Sequence, residues 1–493
     1  MNDYTACDAT ELAARVRRGE VRPIELVEKA ISSIEAVNPV LNAVMHPMYD
    51  SARAAARDLP DGPFRGVPMV VKDFDGFLKG EPFTAGTRFL EGFVPDHDSE
   101  ALARLRRAGL VFVAKTNLPE LAILGTTEGR LKGPARNPWN PEHSSGGSSG
   151  GSAALVAARA VPLGHGGDGG GSLRIPASAC GLVGFKTTRG RVTLAPDFGE
   201  SWGGYVSWGC LTRSVRDAAA LNDVMAGPAA GDPYSVPPLK RPLAEEVGAA
   251  PGKLRVAFTA GSLLGKETHP EAKSAVESAA RLLAELGHEV EEARPEFDRE
   301  RQVRAYLTQI AAGVTAEIEE MGHWIGRKPS AAYFEPSTWF LYQIGRTLSA
   351  AELQQARDAA QAAGRQLAAF FARYDLLVTP TLAYPPVRLG ELALKPIEAA
   401  ALATLRALPI GAALRAILAQ LADSSLERTP NTQLFNQTGQ PAISLPLHQT
   451  PEGLPIGVQF VARYAEDDLL VRVASEIEEA RPWRDRVPKI VAP

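Results

Sequence analysis

Two glycine-wrapped serine clusters stand at the centre of this sequence: GGSSGGS at residues 146–152 and GGDGGGSLR at residues 166–174. Between them lies AALVAARA, residues 153–160, an apolar run typical of a buried helix. Glycine loops on both sides of a buried helix cost too much backbone entropy to be plain spacer inside a core. A flexible Gly/Ser linker would instead be flanked by exposed, polar sequence. We therefore interpret the two clusters as working parts of the fold.

The composition is that of an ordinary globular protein, with 493 residues, 45% hydrophobic and 22% charged. A net charge of −4 gives no reason to expect nucleic acid or an acidic membrane as partner. Three cysteines cannot build a disulfide framework, and the sequence has neither Cys-x-x-Cys pairs nor zinc-type histidine clusters. Because a signal core and long apolar runs are also lacking, we expect a cytoplasmic protein without metal, cofactor or membrane partner.

Short apolar strands alternate with helices from residue 66 onward. Residues 67–71 and 110–114 are typical of buried strands, and residues 99–108 between them of a helix. Three helices come earlier: one is opened by a capping box at Asp8 and Glu11, one by Pro23, and one covers residues 49–58. The alternation predicts an α/β sheet buried on both faces. We expect one domain over residues 1–493, because the sequence shows neither a repeat nor a linker.

The later segments continue this pattern. We predict helices over 213–225, 270–286, most of 300–372 and 469–480, and strands at 254–258, 375–380, 442–446 and 456–461. Residues 391–428 are rich in Ala and Leu and are predicted to form a helical lid or pocket wall.

The first cluster fits the G-x-S-x-G nucleophile elbow at residues 146–150, with Ser148 as the nucleophile. That mechanism needs an acid and then a histidine later in the chain. Histidines do follow, but none has a recognisable acid–histidine context. The elbow is therefore a weak hypothesis.

The second cluster fits the G-x-G-x-x-G dinucleotide fingerprint at residues 164–169, which would make the protein an oxidoreductase. The segment before it is short and contains Pro162, and Ile175-Pro176 after it is not typical of a helix interior. A near match to a phosphate-binding loop at residues 109–116 has Ala114 at the second glycine position. Both nucleotide interpretations are weak.

Lys72 directly follows the predicted strand at residues 67–71 and precedes DFDG, residues 73–76. A lone lysine is most often a solvated surface residue. Here the buried strand favours a dry pocket, which destabilises the charged form of a lysine. A neutral amine can accept a proton and activate a serine. The amides of Gly169, Gly170 and Gly171 could then converge on one oxygen as an oxyanion hole.

Together with Lys72, both clusters resemble the amidase signature family. The resemblance continues through GVPMVVKDF (66–74), AKTNLPELA (114–122), NPWNP (137–141), DLLVTPT (375–381), FNQTGQPAISLP (435–446) and GLPIGVQF (453–460). It implies a single large mixed sheet covered by helices on both faces. The signature core would span about 66–215, and residues 296–372 and 391–428 would be variable helical segments around the substrate pocket.

By position, the resemblance implies a triad of Lys72 as base, Ser148 as a bridging serine on a cis peptide, and Ser172 as the acylated nucleophile. The N–H groups of Gly169, Gly170, Gly171 and Ser172 would form the oxyanion hole. Ser149, Asp168 and Arg174 match the family's supporting hydrogen-bond network. For Ser144, Ser145 and Ser152 we favour a role in capping nearby backbone.

The sequence departs from the family pattern at several positions. Gly167 stands where the family usually has Thr or Ser, and Gly169 stands where another small residue is usual. Thr187 replaces the proline of a Lys-Pro-Thr motif, and His143-Ser144 replaces Thr-Pro. These departures concern the substrate more than the class of reaction.

The segment at residues 165–168 and the chain length resemble the 6-aminohexanoate-cyclic-dimer hydrolases, which open small cyclic nylon amides. The predicted function is cofactor-free hydrolysis of a small-molecule amide through an acyl-enzyme. Aryl amides, carbamates and fatty amides stay open as substrates, and so does the role of the amidase-like component of a glutaminyl amidotransferase. Assembly as a homodimer is also left open.

Overall fold

The computed structural model describes residues 3–393 and 426–493, and it begins with the predicted helices. Helix α1 (Ala9–Arg17) is capped by Asp8, whose side chain accepts the N–H of Glu11 at 3.1 Å. Helix α2 (Pro23–Leu41) starts at its proline, and α3 (Tyr49–Ala55) follows. Between α2 and α3 lies a short strand that the sequence analysis missed.

Eleven strands among the described residues form one sheet. They are β1 (Val44–Pro47), β2 (Pro68–Lys72), β3 (Val111–Thr116), β4 (Leu163–Asp168), β5 (Val183–Lys186), β6 (Ser207–Thr212), β7 (Arg255–Phe258), β8 (Glu289–Glu292), β9 (Leu376–Pro380), β10 (Ala442–Gln449) and β11 (Pro455–Ala462). Their spatial order is β1-β3-β2-β4-β6-β5-β10-β11-β9-β7-β8.

The sheet is mixed, because β2 pairs in parallel with β3 and β4 whereas β6 pairs antiparallel with β4 and β5. Every residue of β2, β3, β4 and β6 is buried. Strands buried along their whole length are covered on both faces. This confirms the predicted α/β class with one large mixed sheet.

The remaining helices pack around this sheet. They are α4 (Glu100–Arg107), α5 (Gly150–Ala157), α6 (Arg174–Cys180), α7 (Val215–Met225), α8 (Pro270–Glu285), α9 (Arg299–Ile325), α10 (Pro336–Gly345), α11 (Ala350–Phe371), α12 (Gln433–Thr438) and α13 (Asp467–Ala480). All residues of α5 are buried, as predicted for the run between the serine clusters. Within the described ranges, no helix has both the length and the apolar character needed to cross a membrane.

Helices α9, α10 and α11 fill the region that the sequence predicted to be mostly helical. The prediction for residues 391–428 falls mainly on residues 394–425, which lie outside the described part of the chain.

The topology brings the predicted site residues to one edge of the sheet. Strands β2 and β4 are parallel neighbours, so Lys72 at the end of β2 and Asp168 at the end of β4 point to the same edge. The serine-containing loops meet this edge, because one precedes α5 and the other joins β4 to α6. In open α/β sheets, sites gather at the carboxyl ends of parallel strands.

The fold contradicts both nucleotide-binding motifs. The glycines of the dinucleotide fingerprint belong largely to strand β4 and not to a turn between strand and helix. Residues 111–116 of the near phosphate-binding loop form β3. One local prediction was wrong, because Ile175 and Pro176 do lie in helix α6. A proline in the first turn removes a backbone donor that has no helical partner there, so the helix tolerates it.

Candidate active site

Lys72 and Ser148 form the buried centre of the site. The Nζ of Lys72 donates a hydrogen bond to Ser148 Oγ at 2.9 Å. Lys72 is 1% exposed and Ser148 is fully buried. The peptide bond between Gly147 and Ser148 is cis, the form that the family resemblance implies at this serine. Because the partner of Ser148 is a lysine and not a histidine, the nucleophile-elbow hypothesis is wrong.

Ser172 lies beside this pair and is half-buried, whereas Lys72 and Ser148 are enclosed. The connection between the two serine clusters is direct, since the N–H of Ser149 donates to the carbonyl of Ser172 at 3.3 Å. Ser172 is therefore more accessible to solvent than Ser148.

The loop that carries Ser172 is fixed by a buried ion pair. Arg174 donates from Nε and from a terminal nitrogen to the two carboxylate oxygens of Asp168, at 2.9 and 2.7 Å, and both side chains are fully buried. Burial alone would raise the pKa of Asp168, but the charge and hydrogen bonds of Arg174 outweigh it and hold the pKa at about 2. Arg174 also donates to Thr432, Gln459 and Asn436.

The glycines after β4 let the chain turn tightly next to its neighbours. Gly171 has φ +127°, and a Cβ at this position would lie 2.6 Å from Thr432 Oγ1. The N–H of Gly171 donates to Asp168 Oδ1 at 2.7 Å. Because the Gly171 N–H already donates to Asp168, it is not free to donate to an oxyanion.

The other serines divide as follows. The hydroxyl of Ser149 is buried without a hydrogen-bond partner among the described residues, so the predicted support comes from its backbone N–H. Ser145 donates to the carbonyl of Ala135 at 3.0 Å, and Ser152 to that of His165 at 2.9 Å. Ser144 Oγ accepts the N–H of Gly146 at 3.2 Å. Ser144, Ser145 and Ser152 contact backbone, as the sequence analysis favoured.

Two further lysines are buried, and their amines contact groups other than the serines. Lys115 pairs with Asp73 at 2.7 Å. Lys186 donates to the carbonyl of Thr187 at 3.0 Å, and burial, together with the charge of Arg174, lowers its pKa to about 7. Lys72 is therefore the buried lysine whose amine contacts a serine of the two clusters.

The pocket around Lys72 is buried, as predicted, but it is not free of charge. Asp75 is 4% exposed, and its Oδ2 lies 2.7 Å from Lys72 Nζ. A carboxylate at this distance stabilises the ammonium form of lysine. The sequence analysis expected burial to favour a neutral amine and did not assign a role to Asp75.

The chain matches a known protein family over most of its length. The model of the amidase family matches residues 25–471. The chain belongs to the amidase signature family. It is 39% identical, over 99% of its length, to a 6-aminohexanoate-cyclic-dimer hydrolase of Pseudomonas sp. strain NK87, of which the match covers 97%. The predicted family is confirmed, and the protein is an amidohydrolase.

Solved structures of other amidases agree with this fold. A 6-aminohexanoate cyclic dimer hydrolase complexed with substrate matches with a TM-score of 0.88 and 36% identity over 99% of both chains. A bacterial aryl acylamidase of the amidase signature family matches with a TM-score of 0.84 and 27% identity over 98% of both chains.

The amidase also has pocket residues that the sequence did not reveal. A Cβ on Gly169 would lie 2.9 Å from the ring of Trp202, and one on Gly170 would lie 2.1 Å from the hydroxyl of Tyr306. Glu317 is half-buried, and its Oε2 lacks a partner among the described residues. Burial raises the pKa of Glu317 to about 8, and the hydrogen bond from Ser201 opposes the rise.

These residues lie far along the chain from the serine clusters, so no local spacing could have shown them. Gln459 is different, because it is a polar residue on the fully buried strand β11. A buried polar side chain needs a partner. That signal could have predicted the contact of Gln459 with Arg174.

Proposed function

We propose that Lys72, Ser148 and Ser172 act as a proton relay and nucleophile in amide hydrolysis. The hydrogen bond of 2.9 Å between Lys72 Nζ and Ser148 Oγ carries this proposal. In its neutral form, Lys72 accepts the proton of Ser148 while Ser148 accepts that of Ser172. Ser172 Oγ then attacks the amide carbonyl. General-base activation of a serine by a positioned amine is an established way to make a weak nucleophile reactive.

The developing oxyanion needs hydrogen-bond donors at the Ser172 loop. Since the Gly171 amide already donates to Asp168, we assign the donors to the N–H groups of Gly169, Gly170 and Ser172. Gly171 and Asp168 then hold the loop in shape. One donor of this kind is typically worth about 3–4 kcal/mol in the transition state.

The second half of the cycle reverses the proton path. The leaving amine receives the proton relayed through Ser148, and the C–N bond breaks to leave an ester on Ser172. Water then attacks the ester and gives a proton to the same relay. The bond between the acyl carbon and Ser172 Oγ breaks, the relay returns the proton to Ser172 Oγ, and the carboxylic acid leaves. No proton is gained or lost by the enzyme over the whole cycle.

For the substrate we propose a short linear or cyclic oligoamide of the 6-aminohexanoate type. The relative named above acts on such a cyclic dimer by its name. The pocket contributes an independent argument: Gln433 and Gln437 are buried, and their side-chain oxygens lack partners among the described residues. Buried acceptors without donors are costly.

The position of these glutamines matters as much as their number. Gln433 and Gln437 line a small cavity together with Tyr306, and Gln433 lies within 3.7 Å of the Cβ position of Gly170. A second amide in the substrate would supply N–H groups to these oxygens. The alkyl chain of a fatty amide would leave them unpaired, and this favours the oligoamide over that alternative.

The test is a panel of the 6-aminohexanoate cyclic dimer, its linear dimer, a 4-nitroanilide, an aryl carbamate and a fatty amide. We expect the oligoamides to give the highest kcat/KM. Ser172→Ala and Lys72→Ala should each lower it by roughly three orders of magnitude or more. Matched controls are Ser178→Ala, a buried serine whose hydroxyl accepts the Gly457 N–H, and Lys79→Ala, an exposed lysine.

Two results would contradict the proposal. A Lys72→Ala variant as active as Lys79→Ala near neutral pH would exclude the triad. A clear preference for the anilide, carbamate or fatty amide would keep the triad but replace the substrate class.

A further inference from the structure

Lys72 has a second partner besides the serine, and that partner is charged. Asp75 lies three residues later in the turn after β2, with Oδ2 2.7 Å from Lys72 Nζ. The two side chains are 1% and 4% exposed, so solvent screens the contact little. The same amine therefore bridges an acid and Ser148 Oγ.

The neighbouring strand β4 leaves room for this acid. A Cβ on Gly167 would lie 2.3 Å from Asp75 Oδ1 and 2.5 Å from its Cγ. Real Cβ atoms do not approach other atoms so closely, so the carboxyl group occupies the volume that a side chain at position 167 would need. Gly167 is also where this sequence departs from the Thr or Ser that the family usually has. The carboxyl group of Asp75 can therefore occupy this position only because residue 167 is a glycine.

Near pH 7, the other titratable groups around Asp75 are either neutral or already paired. His165 on β4 is fully buried, and mainly through burial its pKa is lowered to about 4. Glu317 on α9 has its pKa raised to about 8 by burial, and the charge of Asp75 adds to that rise. Asp73, two residues before Asp75 in the same turn, is paired with Lys115. Among the described residues, Asp75 is thus the unshared anion facing Lys72.

We propose that Asp75 is a positioning residue that holds Lys72 against Ser148 as an ammonium in the resting enzyme and sets the pH above which Lys72 becomes a base. This inference rests on the base role of Lys72 proposed above. In the step that Asp75 controls, one N–H bond of the ammonium breaks, its proton leaves to bulk water, and the electron pair stays on Nζ. Asp75 opposes this step because it stabilises the charged form.

The test follows the reactivity of Ser172 and needs no knowledge of the natural substrate. An alkyl fluorophosphonate labels activated serines, and intact mass gives the second-order rate constant from about pH 5 to about pH 10. Asp75→Asn keeps the shape of the side chain and removes the charge. We expect the acidic limb of the profile to move lower by at least about one pH unit, because an opposite charge at this distance has effects of that size.

Lys72→Ala separates the two proposals. If Lys72→Ala labels as fast as the wild type at all pH values, the base role itself is wrong. If Lys72→Ala is labelled slowly but the acidic limb of the pH profile is the same in Asp75→Asn as in the wild type, the triad stands and the role of Asp75 is overturned.

A second pair of variants tests the steric dependence and keeps the inference testable if Asp75→Asn folds poorly. Gly167→Ser places a Cβ against the carboxyl group, and we expect labelling to slow at least about tenfold. Asp75→Ala combined with Gly167→Ser removes the clash and the charge. It should label faster than Gly167→Ser alone, with the acidic limb of its profile at lower pH than in the wild type. A Gly167→Ser variant with wild-type rate and limb, or a double variant with a wild-type limb, would overturn the inference.

Discussion

Asp168→Asn is the substitution whose effect on stability follows most directly from the structure. Asparagine has the shape of aspartate, so the change creates no cavity. It removes the negative charge opposite Arg174, and both side chains are fully buried. Breaking a buried ion pair from one side costs about 3–5 kcal/mol because the remaining charge is uncompensated.

The expected cost is at the lower end of this range. Arg174 keeps three neutral acceptors, on Thr432, Gln459 and Asn436. We therefore expect a loss of about 3 kcal/mol in the free energy of unfolding near pH 7. The folded-state pKa of Asp168, about 2, lies below its ordinary value. Its charge thus contributes stability above pH ~4, and this contribution is lost as the pH falls through about 2.

The assay is equilibrium unfolding in urea, followed by tryptophan fluorescence and circular dichroism. The matched control is Glu28→Gln, which breaks an exposed pair with Arg53 at 2.8 Å. Exposed pairs contribute about 0–1 kcal/mol, so the control should unfold nearly as the wild type does. An Asp168→Asn variant as stable as Glu28→Gln would refute the argument that this ion pair fixes the Ser172 loop.

Two more predictions concern the pocket. Glu317 has a raised folded-state pKa of about 8, so its contribution to stability is present below pH ~4.5 and is lost as the pH rises through about 8. The melting temperature of Glu317→Gln should therefore fall less than that of the wild type as the pH rises from about 6 to about 9. An equal fall in both proteins would contradict the raised pKa of Glu317. Gly170→Ala puts a Cβ 2.1 Å from the Tyr306 hydroxyl and should slow fluorophosphonate labelling by roughly a hundredfold or more. Adding Tyr306→Phe should restore part of that rate, and no recovery would show that the clash lies elsewhere.

Much of the fold could be predicted because local signals and tertiary structure agree. The capping box at Asp8 and the proline at Pro23 each start a helix, and the apolar run after residue 66 forms β2. Strand β4 could not be predicted in this way. Its sequence LGHGGD is rich in glycine, which is depleted in strands. It is a strand because close neighbours need the space, with Ser149 against Gly166 and Asp75 against Gly167.

Part of the site could also be predicted from the sequence, and part of it could not. The family resemblance pointed to Lys72, Ser148 and Ser172, and the topology brings the end of β2 and both serine loops to one edge of the sheet. The contact of Asp75 with Lys72 was missed because a spacing of three residues in a turn does not show where a side chain points. Tyr306 and Glu317 reach the pocket from α9, more than a hundred residues later in the chain, so only the packed structure reveals them.

Site mapping of covalent labelling tests whether Ser172 is the nucleophile. The wild-type protein is treated with an alkyl fluorophosphonate, digested, and sequenced by mass spectrometry. We predict one modified residue, Ser172, with no modification in Ser172→Ala and much slower modification in Lys72→Ala. Modification of Ser148, or undiminished labelling in Ser172→Ala, would contradict the account.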